Sequence, residues 1–581
     1  MFNKYYQDEL SYLRQLGQEF AAAHPQVAHM LAETGTDPDV ERLLEGFAFL
    51  TGRIRQRLDS ELPELTHALV GLLWPHYLRP VPALSIVEFR AGATLQDAQT
   101  IPKGTSLDSA PVEGTRCRFR TTSDVRLYPI SIENIAFETP LSQSPYLRIG
   151  LALSPQATGA AIEWGDLRLF LNAEPAIAAN LHLWLLRHVT GVTLRVGSAT
   201  KQLPATAIRA VGFDDSEPLW PYPAESFSGF RILQEYFAFP ERFFFVDLVD
   251  LRPLAGMNVS QKFEIILEFD EAPPSDVKAK PGLLRLACTP VVNLMPLRSA
   301  PLRVDHEKTE YRVRPDAPNS THYEIFSIDR VVGWQKGTMI EREYRPFFSY
   351  QHSMGSAGES GDYYQIQLRP ATVGSGTETY ISFTPEVVSG RMPAVETVAA
   401  DMTCTNRNLP EKLRPGDINT PTSDTPAFAE FSNLTRVTPT VAPPLEDRLL
   451  WYLISHQALN YLSLARVESL RTLLSVYNFG ALVDRQVARS HQLRLSGLTD
   501  VRSKPSDIIH HGATYRGMEI ELQVEQDRFA GEGDMHLLAM VLNHFFSTYA
   551  SVNAFTRLSV TDKSRGAIYR WPAMLGSQPL L

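Results

Sequence analysis

Between Asp37 and Asp59, apolar residues recur at Val40, Leu43, Leu44, Phe47, Leu50, Ile54 and Leu58. At about 100° per residue they fall in an arc about 120° wide, which predicts a helix with one face turned to a core. Arg42, Glu45, Arg53 and Gln56 fall on the other side. Asp37 suits the N-cap, and Pro38 suits the first helical position, where a missing N–H is harmless. A shorter apolar segment, 65–74, follows Pro63, and Pro75, Pro80 and Pro82 end helical structure. Upstream, residues 3–23 carry Tyr6, Leu10, Leu13, Leu16 and Phe20 at helical spacing until His24-Pro25. Such a helix serves either the protein's own core or, as a chain-end segment, a partner. These five residues are the candidate partner-binding set.

From Ser85 the period changes to two. Ile86, Glu88 and Arg90 alternate with Val87, Phe89 and Ala91, and similar runs occupy 167–171 and 262–269. Residues 323–329, 364–368 and 380–384 repeat the pattern, so a β-rich, sandwich- or barrel-like middle is predicted. Seven prolines then interrupt a Thr- and Asp-rich stretch, 406–444, expected as an extended linker pinned over a surface or reaching a second subunit. Beyond it, helical patterns at 449–454, 470–477 and 537–549 flank a strand pattern at 518–524. The fold class expected is α+β and multidomain: a helical region 1–82, β-rich domains 83–285 and 286–405, the linker 406–444, and an α+β domain 445–581.

Composition narrows the function classes. With 581 residues, 44% hydrophobic and 21% charged, this is an ordinary globular chain long enough for several cores. A formal charge of −10 argues against general binding to a phosphate backbone. Cys117, Cys288 and Cys404 are too few and too scattered for a disulfide framework or a zinc site. The first ten residues lack the apolar core of a signal peptide, and no run approaches the ~18 apolar residues of a membrane span. A cytoplasmic location is the expectation.

Candidate chemistry is sparse. Glu519, Glu521 and Glu525 lie at strand spacing and could form a carboxylate site, but a charged outer face is the plainer account. His536 and His544 are eight apart, His510-His511 lie nearby, and no HExxH, GxSxG or paired-cysteine spacing occurs. The Gly/Ser run from Met354 lacks the Lys-Ser or Lys-Thr of a phosphate loop, and Gly374-Ser375-Gly376 reads as a turn. The aromatics from Trp220 to Phe245 suit either a carbohydrate platform or a packed core. No catalytic residue, metal or cofactor is expected.

Several blocks carry a family likeness. They are Tyr5-Tyr6 with Glu9 to Arg14, His24-Pro25, Val40 to Asp59, Pro75 to Leu78, Cys288 to Pro296, Tyr323 to Val331, and Leu459 to Trp571. In this order they resemble the TssF (VasA/ImpG) family of type VI secretion system baseplate subunits. The resemblance implies a structural wedge protein without enzymatic activity. Its implied partners are TssG, TssK, the sheath initiator TssE, the hub VgrG and other copies of itself. The implied place is a baseplate docked at the cytoplasmic face of the inner membrane. The alternatives are a phage-like contractile-tail wedge, or a carbohydrate-active or carbohydrate-binding β protein.

Overall fold

The computed structural model describes residues 6, 7, 9–13, 38–59, 67, 69–72, 74–92, 94–140, 144–223, 229–257, 259–305, 307–335, 341–347, 363–372, 374–384, 395–445, 466–510, 512–548, 550–552 and 554–576. The chain is α+β and strand-rich, with several largely antiparallel sheets, as the two periodicities imply. It forms two compact units, 1–72 with 445–454 and 73–444 with 455–581.

The described elements of the smaller unit are helical. Residues 6, 7 and 9–13 are a first helical stretch, and the Pro38–Asp59 helix runs 22 residues. Asp37, Leu16, Phe20 and the pattern at 449–454 lie outside the described residues. A ring nitrogen of His67 lies 3.4 Å from the Leu445 carbonyl, which ties the two stretches of this unit together.

In the larger unit, the Leu84–Ala91 strand lies between Cys288–Val292 and Ala429–Asn433, with Thr115–Thr121 and Ser106–Val112 beyond. Its alternation does not separate a wet from a dry face, because its first six residues are all buried. One face, with Val87 and Phe89, packs on Ile101, Phe119 and Val291. On the other, Glu88 is held by Arg90 at 2.8 Å and Arg285 at 3.3 Å. This one sheet draws strands from both sides of the boundaries expected at 285 and 405. The Pro-rich stretch is likewise built in. Thr438 donates its backbone N–H to Leu84, and Leu409, Leu413, Ile418, Phe431 and Val437 enter the core. It shows little period because most of it crosses the core as irregular chain between prolines.

A second sheet holds the Lys262–Phe269 strand between Tyr146–Leu153 and Val189–Val196, and here burial alternates as the sequence predicts. In a third, Glu324–Gln335 pairs with Glu396–Thr405 with two register shifts, which break the regular alternation. Gly374-Ser375-Gly376 is the turn between Tyr363–Pro370 and Thr377–Thr384, with both glycines at positive φ. The run from Met354 lies outside the described residues.

Toward the C-terminus, Val467–Val476 and Glu532–Thr548 are helices, and Ala513–Val524 is a strand flanked by Leu498–His510 and Ala554–Asp562. Sequence reading missed several helices, among them Pro175–Arg187, Arg485–Ser496 and Gly229–Ala238. In Arg485–Ser496, Asp484 is the N-cap and accepts the N–H groups of Gln486 and Val487. In Gly229–Ala238, both apolar and charged residues are buried, so the helix has no polar face to reveal its period.

Candidate interaction surface

Three residues of the stripe expected to face a core point outward on the Pro38–Asp59 helix. Leu43, Phe47 and Leu50 are 74%, 56% and 61% exposed, while Ala48 and Gly52 are buried and Leu44 is half-buried. Residues 43, 47 and 50 share one face at i, i+4 and i+7; residues 44, 48 and 52 share the next. Among its described side chains, the helix is buried at small residues and leaves Leu43, Phe47 and Leu50 uncovered. Small side chains permit close approach, whereas three exposed large apolar residues on one face mark an interaction site. Phe49, 46% exposed, widens the apolar area.

Of the residues assigned to partner binding, Tyr6, Leu10 and Leu13 are half-buried, and Tyr12 between them is 57% exposed. Leu16 and Phe20 lie outside the described residues. The missed residues, Leu43, Phe47 and Leu50, stood in the most regular apolar pattern of the chain. The pattern announced burial without saying against what.

The other candidate sites dissolve into structural contacts. Trp220 is 4% exposed and Phe243, Phe244 and Phe245 are all buried, so these rings are core and offer no sugar a stacking face. Tyr222 shares a hydrogen bond with His76 at 3.1 Å. Glu519 is paired with Arg557 at 3.0 Å and accepts Ser506 at 3.3 Å. Glu521 is exposed opposite Arg502 and Ser559, and Glu525 faces Arg528 at 3.6 Å. These spacings describe a salted strand face.

His536 and His544 occupy separate environments. His536 is buried and its Nε2 accepts the Nε–H of Arg187 at 3.1 Å, beside the Trp571 ring. Burial and the Arg187 charge push its pKa well below the usual histidine range, so it is a neutral acceptor. The His544 ring stands 6.1 Å from that of Phe213. Among the described residues, no three of His, Cys, Asp and Glu converge as a metal-ion set.

A buried charge cluster lies around the Gly229–Ala238 helix. Glu235 touches Arg242, stands 3.6 Å from Arg231, and accepts the Leu219 N–H at 2.9 Å. Arg231 also reaches Asp215 at 2.7 Å, and Arg242 donates to the Glu217 carbonyl at 2.9 Å. Every charge here faces another protein group, as befits a structural cluster.

An uncovered apolar helix face suits a chain that works by holding others. A family model described as "Type VI secretion system, TssF" matches residues 1–578. The chain belongs to the TssF family. A TssF relative, "Type VI secretion system component TssF1" of Pseudomonas aeruginosa strain PAO1, is 30% identical, with 100% of this chain and 99% of the relative covered. A solved chain from the TssK-TssF-TssG baseplate subcomplex superposes with a TM-score of 0.77 at 31% identity, over 92% of this chain and 98% of the other. Another, from the type VI secretion baseplate complex, gives 0.68 at 28% identity with full coverage of both. TssF proteins are structural baseplate components, and this match places the chain with type VI secretion and not with a phage-like tail.

Proposed function

We propose that this chain is a wedge subunit of a type VI secretion baseplate, and that its Leu43/Phe47/Leu50 face is where a neighbouring subunit docks. The observation that carries this is the exposure of Leu43, Phe47 and Leu50 on one face of the Pro38–Asp59 helix. Covering each such side chain is worth roughly 1.5–3 kcal/mol, enough for a central interface cluster. The occupant is a TssG-like subunit presenting its own apolar helices, with TssK bound in the same subcomplex. The solved relative with TssK and TssG supports this choice. The Tyr6, Leu10, Leu13, Leu16 and Phe20 stripe belongs to the same reading, as a helix shared with the partner. Contacts with a TssE-like sheath initiator, a VgrG-like hub and copies of itself complete the wedge, at the cytoplasmic face of the inner membrane. The role is mechanical: the wedge holds a ring around the hub, and its rearrangement lets sheath contraction begin. Among the described residues, no helix is long and apolar enough to cross a membrane.

Co-expression with the TssG-like subunit of the same genome tests the reading. Phe47→Asp should leave the unfolding free energy within about 1 kcal/mol of the parent and weaken partner binding, read by co-purification, by roughly 2 kcal/mol or more. Undiminished capture by a Leu43→Asp/Phe47→Asp double variant would remove the helix face from the interface.

A further inference from the structure

Two hollows share the turn joining Ser106–Val112 to Thr115–Thr121 in the larger unit. Glu113 and Gly114 form that turn, both at positive φ (50° and 78°), as a tight two-residue hairpin needs. Glu113 lines both hollows and is paired with Lys412. The first hollow, about 570 Å³, contains Arg116 and Arg118. Arg118 is committed: its Nε and Nη2 grip the two carboxylate oxygens of Asp108 at 2.9 and 3.1 Å. Arg116 is exposed and has no carboxylate partner among the described residues.

The second hollow, about 280 Å³, contains Arg407. Its backbone is held at φ 52°, unusual for a side chain of this size, with its N–H on Thr405 and its carbonyl accepting Thr440. Its two terminal nitrogens reach only backbone carbonyls, of Thr321 and Thr377, each at 3.4 Å. Its Nε is buried without an acceptor. The buried carboxylate nearby, Glu324, is turned to the N–H and hydroxyl of Thr377 at 2.7 and 2.8 Å. A guanidinium offers five N–H donors in a planar fork that matches a carboxylate, and neither of these two has one.

We infer that the two hollows form one binding trough for an acidic peptide segment, with Arg116 and Arg407 each taking a carboxylate. The hollows are sized for side chains, and a small anion reaches one guanidinium, whereas a peptide spans both. A nucleic acid is the poorer fit, because a phosphate backbone calls for an extended basic surface, which a chain of net charge −10 does not suggest, whereas two separate guanidinium groups match two carboxylates. This goes beyond the helix face and does not depend on it.

The full chain is titrated against a fluorescein-labelled octapeptide of alternating glycine and aspartate, read by anisotropy. The same peptide with asparagine is the control. Saturable binding of the aspartate peptide is expected, at least about tenfold tighter than the asparagine peptide and several-fold weaker on raising salt from about 50 to about 300 mM. Arg116→Gln and Arg407→Gln should each weaken it by about fivefold or more, while Arg485→Gln, on a different element, leaves it unchanged. Arg116 is exposed, so that variant reads binding without disturbing the fold; far-UV dichroism checks Arg407→Gln. Equal binding of both peptides, retention of affinity in the Arg116 variant, or no binding at millimolar peptide overturns the assignment.

Discussion

Glu235 shows what a single residue decides in this molecule. Its carboxylate is fully buried between Arg242 and Arg231, whose side chains are only 3% and 4% exposed. Replacing such a pair with apolar groups can be harmless, but removing one member strands the other charge. Glu235→Ala leaves two buried guanidinium groups with their central acceptor gone. A loss of about 3–5 kcal/mol is expected in the denaturant unfolding free energy of the larger unit. Glu235→Gln should lose less, since the amide oxygen still accepts the Leu219 N–H. Nothing in the sequence singled out Glu235, because a carboxylate four residues from an arginine usually marks a solvated helix face. Its burial follows from packing by distant residues.

At the scale of elements, the Pro38–Asp59 helix and the Glu532–Thr548 helix make opposite points. Both were legible as helices from their apolar spacing. In Glu532–Thr548 the apolar residues are buried as their spacing implies, and Leu538, Val541, Leu542 and Phe545 all lie in the core. In Pro38–Asp59 the buried residues among the described side chains are Ala48 and Gly52, two small residues outside the apolar stripe. Ala48→Leu should therefore overpack this unit by about 1–3 kcal/mol, more than Phe47→Asp costs the isolated chain. Thermal unfolding of the two variants side by side checks the order.

A second close approach holds Glu532–Thr548 against Pro175–Arg187. The Gly533 N–H donates to Asn180 Oδ1 at 2.9 Å, and a Cβ at Gly533 would stand 2.2 Å from the Ala179 backbone. Gly533→Ala should lower stability by several kcal/mol, of order 3, because backbone cannot step aside as a side chain does. An unfolding midpoint indistinguishable from the parent would show that the two helices are not so closely set.

For the whole molecule, pH is the informative variable. Burial lowers His76 to about 3 and His182 and His491 to about 4, and it lowers His536 and His544 as well. The folded state then binds fewer protons than the unfolded state below pH about 6.5, so stability falls as pH drops from there toward 4. Each group contributes up to about 1.4 kcal/mol per pH unit in that window. Glu241, Glu324 and Glu411, raised by burial, act in the opposite sense but are fewer. The unfolding temperature should hold between pH 8 and 7 and drop clearly by about pH 5.5. A flat profile would mean that these rings are hydrated in solution.

The strand content of the molecule was readable from period-two runs, and Lys262–Phe269 fulfilled its pattern residue by residue. Sheet membership was not readable, because pairing is chosen by residues hundreds of positions away and local alternation is silent about partners. The first sheet makes this plain. Leu84–Ala91 is completed on one side by Cys288–Val292 and on the other by Ala429–Asn433. On the ribosome this arrangement becomes a matter of timing. At ordinary elongation rates Val292 emerges roughly 10–40 s after Ala91 and Asn433 roughly 20–70 s after it, so an apolar strand waits first with both edges open and then with one. During that interval nascent copies on one message run the risk of pairing with each other. Slowing translation, or supplying a chaperone that binds extended apolar chain, should therefore change the soluble yield of this protein more than that of a chain whose sheets close locally.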